Sequence, residues 1–205
     1  MDIRAEKLSK RFGAQWVIKD FSYVFQKGVN YAIEGSNGSG KSTLLHLCCT
    51  YLEPTKGLCQ FYQGAQSVPL EKSYKYFSIA APYLDLIPHF TITEQLAFTG
   101  KLKAWSAKWE TDNLLELMEL QAHKHKHIRS LSSGMRQRVR LITALASDVE
   151  IVFLDEPTTN FDKSAKNWFQ EILSTLAKDK LVVIASNEKE DLQQCAEYIQ
   201  IEDYK

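Results

Sequence analysis

The octapeptide Gly35-Ser36-Asn37-Gly38-Ser39-Gly40-Lys41-Ser42 constrains this chain more than any other feature. Before it runs Val29 to Glu34, rich in β-branched and aromatic residues, and after it Ser42 to Tyr51 carries the apolar residues of a helix. A glycine-rich loop between strand and helix is the context of a phosphate-binding loop. Glycines let the backbone wrap so that several N–H groups point at phosphate oxygens, and the helix N-terminus adds a favourable dipole. Lys41 is then set to reach the terminal phosphates, and the Ser42 hydroxyl to meet a divalent cation, with Thr43 next to it.

The rest of the chain repeats the alternation that such a loop requires. Asp2 to Ser9 and Val17 to Phe25 read as short strands with Gly13 and Lys27-Gly28 as turns, and Pro54 and Gly57 close the first helix. Thr93 to about Gln121 carries apolar residues at helical spacing, and Met135 to Ala146 reads as a basic amphipathic helix. Glu150 to Leu154 and Leu181 to Ala185 are continuous apolar runs, the mark of strands buried on both faces. A helix over Lys163 to Ala177 lies between them, and Glu197 to Glu202 reads as a closing strand. The expected fold is α/β: a P-loop core with a parallel sheet, an N-terminal antiparallel β portion and an inserted helical subdomain. Residues 1–82 and 148–205 would form the core and 83–147 the subdomain, all within one domain.

With 205 residues the chain can bury a sizeable core. Its 25 basic residues balance 25 acidic ones, which removes the broad positive footprint of a protein that binds nucleic acid through phosphates. Cys48, Cys49, Cys59 and Cys195 lack metal-ligand spacing and read as buried free thiols of a reducing compartment. No apolar run approaches the roughly 20 residues of a membrane span, so a membrane role would come through a partner.

Ile151 to Leu154 ends in Asp155 and Glu156, two carboxylates placed to hold a cation and to polarise a water. Between the two phosphate motifs lies Leu131-Ser132-Ser133-Gly134-Met135-Arg136-Gln137-Arg138, and Glu156-Pro157-Thr158-Thr159-Asn160-Phe161-Asp162 follows the second. In order and spacing, over nearly the whole chain, these segments resemble the ABC ATPase family, and the compact chain with Ile33-Glu34-Gly35-Ser36-Asn37-Gly38 is similar to its haem-exporter ATPase subunits of cytochrome c maturation.

The resemblance implies an ATP-binding and hydrolysing subunit of a transporter, cytoplasmic and held at the inner face of the membrane by permease subunits. It implies ATP on Gly35 to Thr43, Mg²⁺ on Ser42 and Asp155, catalytic roles for Glu156 and Asn187, and adenine stacking on Phe12. Ser132, Ser133 and Gly134 would act on the ATP of a second cassette, a copy of the same chain, since signature and phosphate loop belong to opposite halves of one site.

Departures from the family pattern bear on rate. Ser133 and Met135 stand where glycine and glutamine are usual. Pro82 falls at the position of a glutamine that contacts metal and water, where it offers neither a side-chain acceptor nor an N–H, and Asn187 at that of a histidine on the γ-phosphate, where an amide can donate a hydrogen bond but cannot carry a proton. Slow hydrolysis is expected, and with it an alternative role as a nucleotide-dependent regulatory clamp. A soluble ABC protein acting on ribosomes or DNA is disfavoured by the single cassette and zero net charge. His123, His125 and His127 alternate with lysines and read as a polar turn rather than a metal site, and Trp105 and Trp109 as the packed face of an amphipathic helix.

Overall fold

In the computed structural model, which describes residues 1–106 and 109–205, two sheets share the chain. The first is antiparallel. Its strands β1 (Asp2–Phe12), β2 (Gln15–Phe25), β4 (Lys56–Gln63) and β5 (Gln66–Val68) run in the order β2-β1-β4-β5. The second is parallel, with β3 (Asn30–Glu34), β6 (Phe77–Ala80), β7 (Ile151–Asp155), β8 (Leu181–Ala185) and β9 (Glu197–Gln200) in the order β6-β7-β8-β3-β9.

Period-two alternation along the buried strands divides the core. Ile151 and Phe153 of β7 face Phe21, Phe25, Phe61 and the helix α1 (Lys41–Cys48), under the antiparallel sheet. Val152 and Leu154 face the other way, onto α5 (Ser133–Ala146) and α6 (Lys163–Leu176) through Leu141, Leu145, Phe169 and Leu173. Both faces of the parallel sheet are therefore covered. That is why its central strands carry uninterrupted apolar runs.

The register of the parallel sheet gathers the chemistry. Ala80 pairs with Leu154, Asp155 with Ala185, and Ile33 with Ala185, so these strands end level. The segments leaving them are the ones holding Pro82, Glu156, Gly35 and Asn187, at the carboxyl edge where open α/β sheets bind ligands.

Two sequence expectations need correction, and one stretch gains its elements here. The helix expected over Ser42 to Tyr51 stops at Cys48, because Thr50 turns into the left-handed region at φ 59°. The chain from Lys56 to Ala80, left unassigned above, supplies β4, β5, a short α2 (Leu70–Ser73) and β6. Trp105 and Trp109 are not on a helix face: α3 (Ile92–Leu102) ends before them and α4 (Thr111–Leu117) begins after them. Lys103 leaves the helix in extended conformation, and its ammonium donates to the carbonyls of Tyr74 and Phe77, which ends α3 and pins the connection. Trp105 then bridges to Ser147 and packs on Gly100, where a Cβ would meet its ring nitrogen at 2.7 Å. Both tryptophans pack against the core. Residues 107 and 108 of the expected helical stretch lie outside the described residues.

Cys48, Cys49 and Cys195 are buried free thiols, while Cys59 is half-buried. Among the described residues no helix is long and apolar enough to cross a membrane.

Candidate functional site

The phosphate loop is built by close approach. At Gly40, with φ 105°, a Cβ would lie 2.8 Å from Val17, and at Gly35 it would strike Ile201 at 2.4 Å, so neither position admits a side chain. Lys41 is buried, and its ammonium lies inside the loop, donating to the carbonyls of Gly35 at 3.0 Å and Ser36 at 3.2 Å. It also stands 3.5 Å from the Glu156 carboxylate. Ser36, Asn37 and Gly38 are exposed at the tip. Ser39 is buried with its hydroxyl unpaired, an orphan that an incoming acceptor would satisfy.

The Ser42 hydroxyl donates to Asp155 at 3.0 Å. Hydroxyl and carboxylate oxygens at hydrogen-bond distance are a hard donor set of the type Mg²⁺ takes, together with phosphate oxygens and water. Asp155 is buried, and burial pushes its carboxyl above the usual range, opposed by the Ser42 hydrogen bond and the nearby Lys41 charge. A cation beside it would reverse that cost.

Glu156 follows at φ 45°, a left-handed backbone held by its N–H donating to Ala185 at 2.8 Å. Non-glycine residues occupy this region at a cost of about 1–3 kcal/mol, which concentrates at functional sites. The turn aims the Glu156 side chain over the phosphate loop, with Ser186 Oγ 3.4 Å from its carboxylate. Glu156, Asn37, Pro82, Thr158 and Asn187 line one cavity of about 470 Å³. The two departures, Pro82 and the exposed Asn187, thus face the same space as the candidate base.

The signature is a helix start. Ser132 caps α5, its hydroxyl accepting from the Met135 N–H at 3.2 Å. Ser133 is the first helical residue and exposed, and neither it nor Gly134 has positive φ, so serine in place of glycine costs the backbone little. Ser132 and Gly134 line a second cavity, of about 400 Å³, with Asn160, Phe161 and Asp162. No residue of the phosphate loop is among its lining. Phe12 is 52% exposed at the end of β1, beneath the Lys10 ammonium at 5.3 Å. His123 and His127 sit at two 3₁₀ turns, and His127 Nδ1 lies 2.9 Å from the His89 carbonyl oxygen.

Sequence reasoning missed two residues that hold the site in shape. Asp191, fully buried, accepts from Ser186 Oγ at 2.6 Å and from Thr158 Oγ1, tying the segment after β7 to the segment after β8. Burial holds its carboxyl above the usual range despite both bonds. Asp191→Ala leaves the buried Thr158 hydroxyl without a partner and the Ser186 hydroxyl with only its longer 3.4 Å contact to Glu156 as acceptor, and should cost about 2 kcal/mol of stability, read as a lower urea midpoint. Arg140 bonds the Leu84 carbonyl at 2.8 Å and Gln137 Oε1 at 3.1 Å, and Gln137 reaches the Pro157 carbonyl at 2.8 Å. These bonds join α5 to the loop after β6 and to the turn after β7.

Fold and site together define a P-loop nucleotide-binding cassette with a signature helix. A family profile described as ABC transporter matches residues 18–159, and the chain belongs to that family. The Nod factor export ATP-binding protein I of Ralstonia nicotianae is 28% identical over 195 residues, 93% of this chain and 61% of that protein. The chain thus spans less than two thirds of that relative's length. The cytochrome c biogenesis ATP-binding export protein CcmA of Brucella abortus is 28% identical too, covering 91% of this chain and 86% of that one. A solved structure from Pyrococcus furiosus, assigned provisionally as an ABC transporter ATP-binding protein, superposes with a TM-score of 0.83 at 25% identity, covering 100% of this chain and 99% of that one. Equal identity to relatives with different cargo names reads the cassette and not the cargo.

Proposed function

We propose that the chain binds ATP on its phosphate loop and hydrolyses it in sites shared between two cassettes, driving transport through separate membrane subunits. One observation carries the shared site: the phosphate loop and the Ser132–Gly134 segment of one chain do not line a common cavity. The capped start of α5, with Ser132 and Ser133 exposed, suits an anion that a second copy would bring.

In this reading Gly35 to Thr43 cradle the phosphates, with Lys41 leaving its carbonyl partners for the β- and γ-phosphates. Phe12 supplies a stacking face for adenine. Ser42 and Asp155 would hold Mg²⁺, which when bound neutralises charge building on the phosphates. Glu156 orients and polarises the attacking water, Asn187 donates to the γ-phosphate, and Asp191 keeps the segments carrying both in register. Tyr51, Leu70, Tyr74 and Tyr83, all exposed, rim an apolar groove of about 450 Å³ beside the site, a surface suited to a membrane subunit. The names of the relatives as export proteins support such a partner. Pro82 and Asn187 in the catalytic cavity favour a second reading, a slow-turnover clamp that signals by dimerising.

Mixing two inactive variants tests the shared site. Lys41→Ala kills its own phosphate loop and Gly134→Asp its own signature, yet their heterodimer holds one intact site. A mixture should recover about a quarter of wild-type hydrolysis per chain, half of the dimers each having half of their sites. No recovery at any ratio argues for sites complete within one chain.

A further inference from the structure

The turn that follows β9 grips the phosphate loop from outside. β9 pairs in parallel with β3, Glu34 opposite Gln200, so the two strands end level and the chain leaving β9 emerges beside the loop that leaves β3. There it forms a short 3₁₀ turn, Ile201–Tyr204, seated by apolar contacts at both ends. Ile201 is fully buried against Gly35, and the Tyr204 ring meets Phe21 edge-on with centroids 4.8 Å apart. Glu202 lies between these two anchors, with Lys205 just beyond.

One carboxylate oxygen of Glu202 accepts from the Ser36 N–H at 3.1 Å and from Ser36 Oγ at 3.3 Å, and the Lys205 ammonium donates to the Ser39 carbonyl. The bond from the Ser36 N–H holds the Glu202 carboxyl below its usual range, as a donor to the charged form does. The peptide gripped in this way is the one that stores Lys41. In a trans peptide the N–H and the C=O point in opposite directions. The Gly35–Ser36 unit therefore turns its N–H out to Glu202 and its carbonyl in to Lys41, which donates to it at 3.0 Å. Beside a glycine such a unit could rotate at little steric cost and withdraw the carbonyl, and the carboxylate opposes that rotation.

We infer that Glu202 is a positioning residue for Lys41, acting through the Gly35–Ser36 peptide to keep the phosphate loop in the shape that receives its ligand. The inference rests on the reading of this loop as the ATP site. A loop already held in shape has less to order when phosphate binds. The charge of Glu202 works the other way, since a carboxylate beside the loop repels an anion. Acceptor oxygen and charge thus have opposite consequences.

Two variants separate them. Glu202→Ala removes both, whereas Glu202→Gln keeps an acceptor oxygen of the same reach and drops the charge. Titration with a fluorescent ATP analogue should show about fivefold weaker binding for Glu202→Ala, the net worth of one hydrogen bond, and binding at least as tight as wild type for Glu202→Gln. In a Lys41→Ala background the same Glu202→Ala change should alter affinity by less than about twofold, because the group it positions is gone. Unchanged or tighter binding in Glu202→Ala, a loss in Glu202→Gln equal to that of alanine, or an undiminished fivefold loss in the Lys41→Ala background overturns the inference. Wild-type protein that does not bind the analogue overturns the proposed function along with it, whereas wild-type binding beside an indifferent Glu202→Ala sinks the inference alone.

Discussion

Lys41→Ala should weaken ATP binding by about 100-fold or more, the loss of about 3 kcal/mol that one charge-assisted contact to phosphate supplies. Within the chain the ammonium is held by the Gly35 and Ser36 carbonyls and by Glu156 at 3.5 Å, a set of acceptors that keeps a buried cation in place until phosphate arrives. Alanine removes the positive charge and leaves Glu156 as an uncompensated negative charge beside the loop. Both changes act against an anionic ligand. Titration with a fluorescent ATP analogue measures the effect, and wild-type affinity in the variant would remove the basis for reading this loop as a nucleotide site. The variant also deletes the two carbonyl hydrogen bonds and the contact with the partly exposed Glu156, so urea unfolding should show a loss of about 1–3 kcal/mol.

What the sequence made legible is contiguous. The phosphate loop carries its glycines, lysine and serine in eight consecutive residues, and β7 and β8 announce themselves because burial on both faces leaves no room for alternation. By contrast β6 spans four residues and has Ser78 in its middle, a polar interruption that the fold satisfies through the Ala144 carbonyl at 2.7 Å. That partner is 66 residues away, and no local pattern points to it. Asp191 sits in the charged run Glu188 to Asp191, which reads as a solvated turn; the fold leaves Lys189 and Glu190 exposed and buries this one against Ser186 and Thr158. Tyr83 and His46 are 37 residues apart and meet only because β6 ends, and α1 begins, at the same edge of the parallel sheet. The tryptophans misled for a related reason: apolar residues at helical spacing do not say where a lysine, Lys103, will be drawn off to cap another strand's carbonyls.

Glu156→Gln should trap an ATP-bound dimer and lower turnover by about 100-fold or more, the usual worth of a positioned general base. The substitution keeps the shape of the side chain, so the left-handed turn at φ 45° and the N–H bond to Ala185 should persist, and the strained backbone has no new reason to relax. What changes is charge. An amide cannot take a proton from water, and it no longer competes with phosphate for Lys41, which in the unliganded chain lies 3.5 Å from the Glu156 carboxylate. Nucleotide affinity should therefore be kept or raised while hydrolysis fails, a combination that separates Glu156 from Lys41, whose loss removes binding itself. Asp155, bonded to Ser42 at 3.0 Å, is untouched, so the Mg²⁺ requirement for binding should remain as in wild type. Size-exclusion chromatography with ATP and Mg²⁺ reads the outcome: a shift to twice the monomer mass is expected, reversed when ATP is removed with a chelator present. A variant that stays monomeric at high concentration while binding ATP would place the catalytic site within a single chain and leave the exposed Ser132 cap without the partner phosphate it is read to meet.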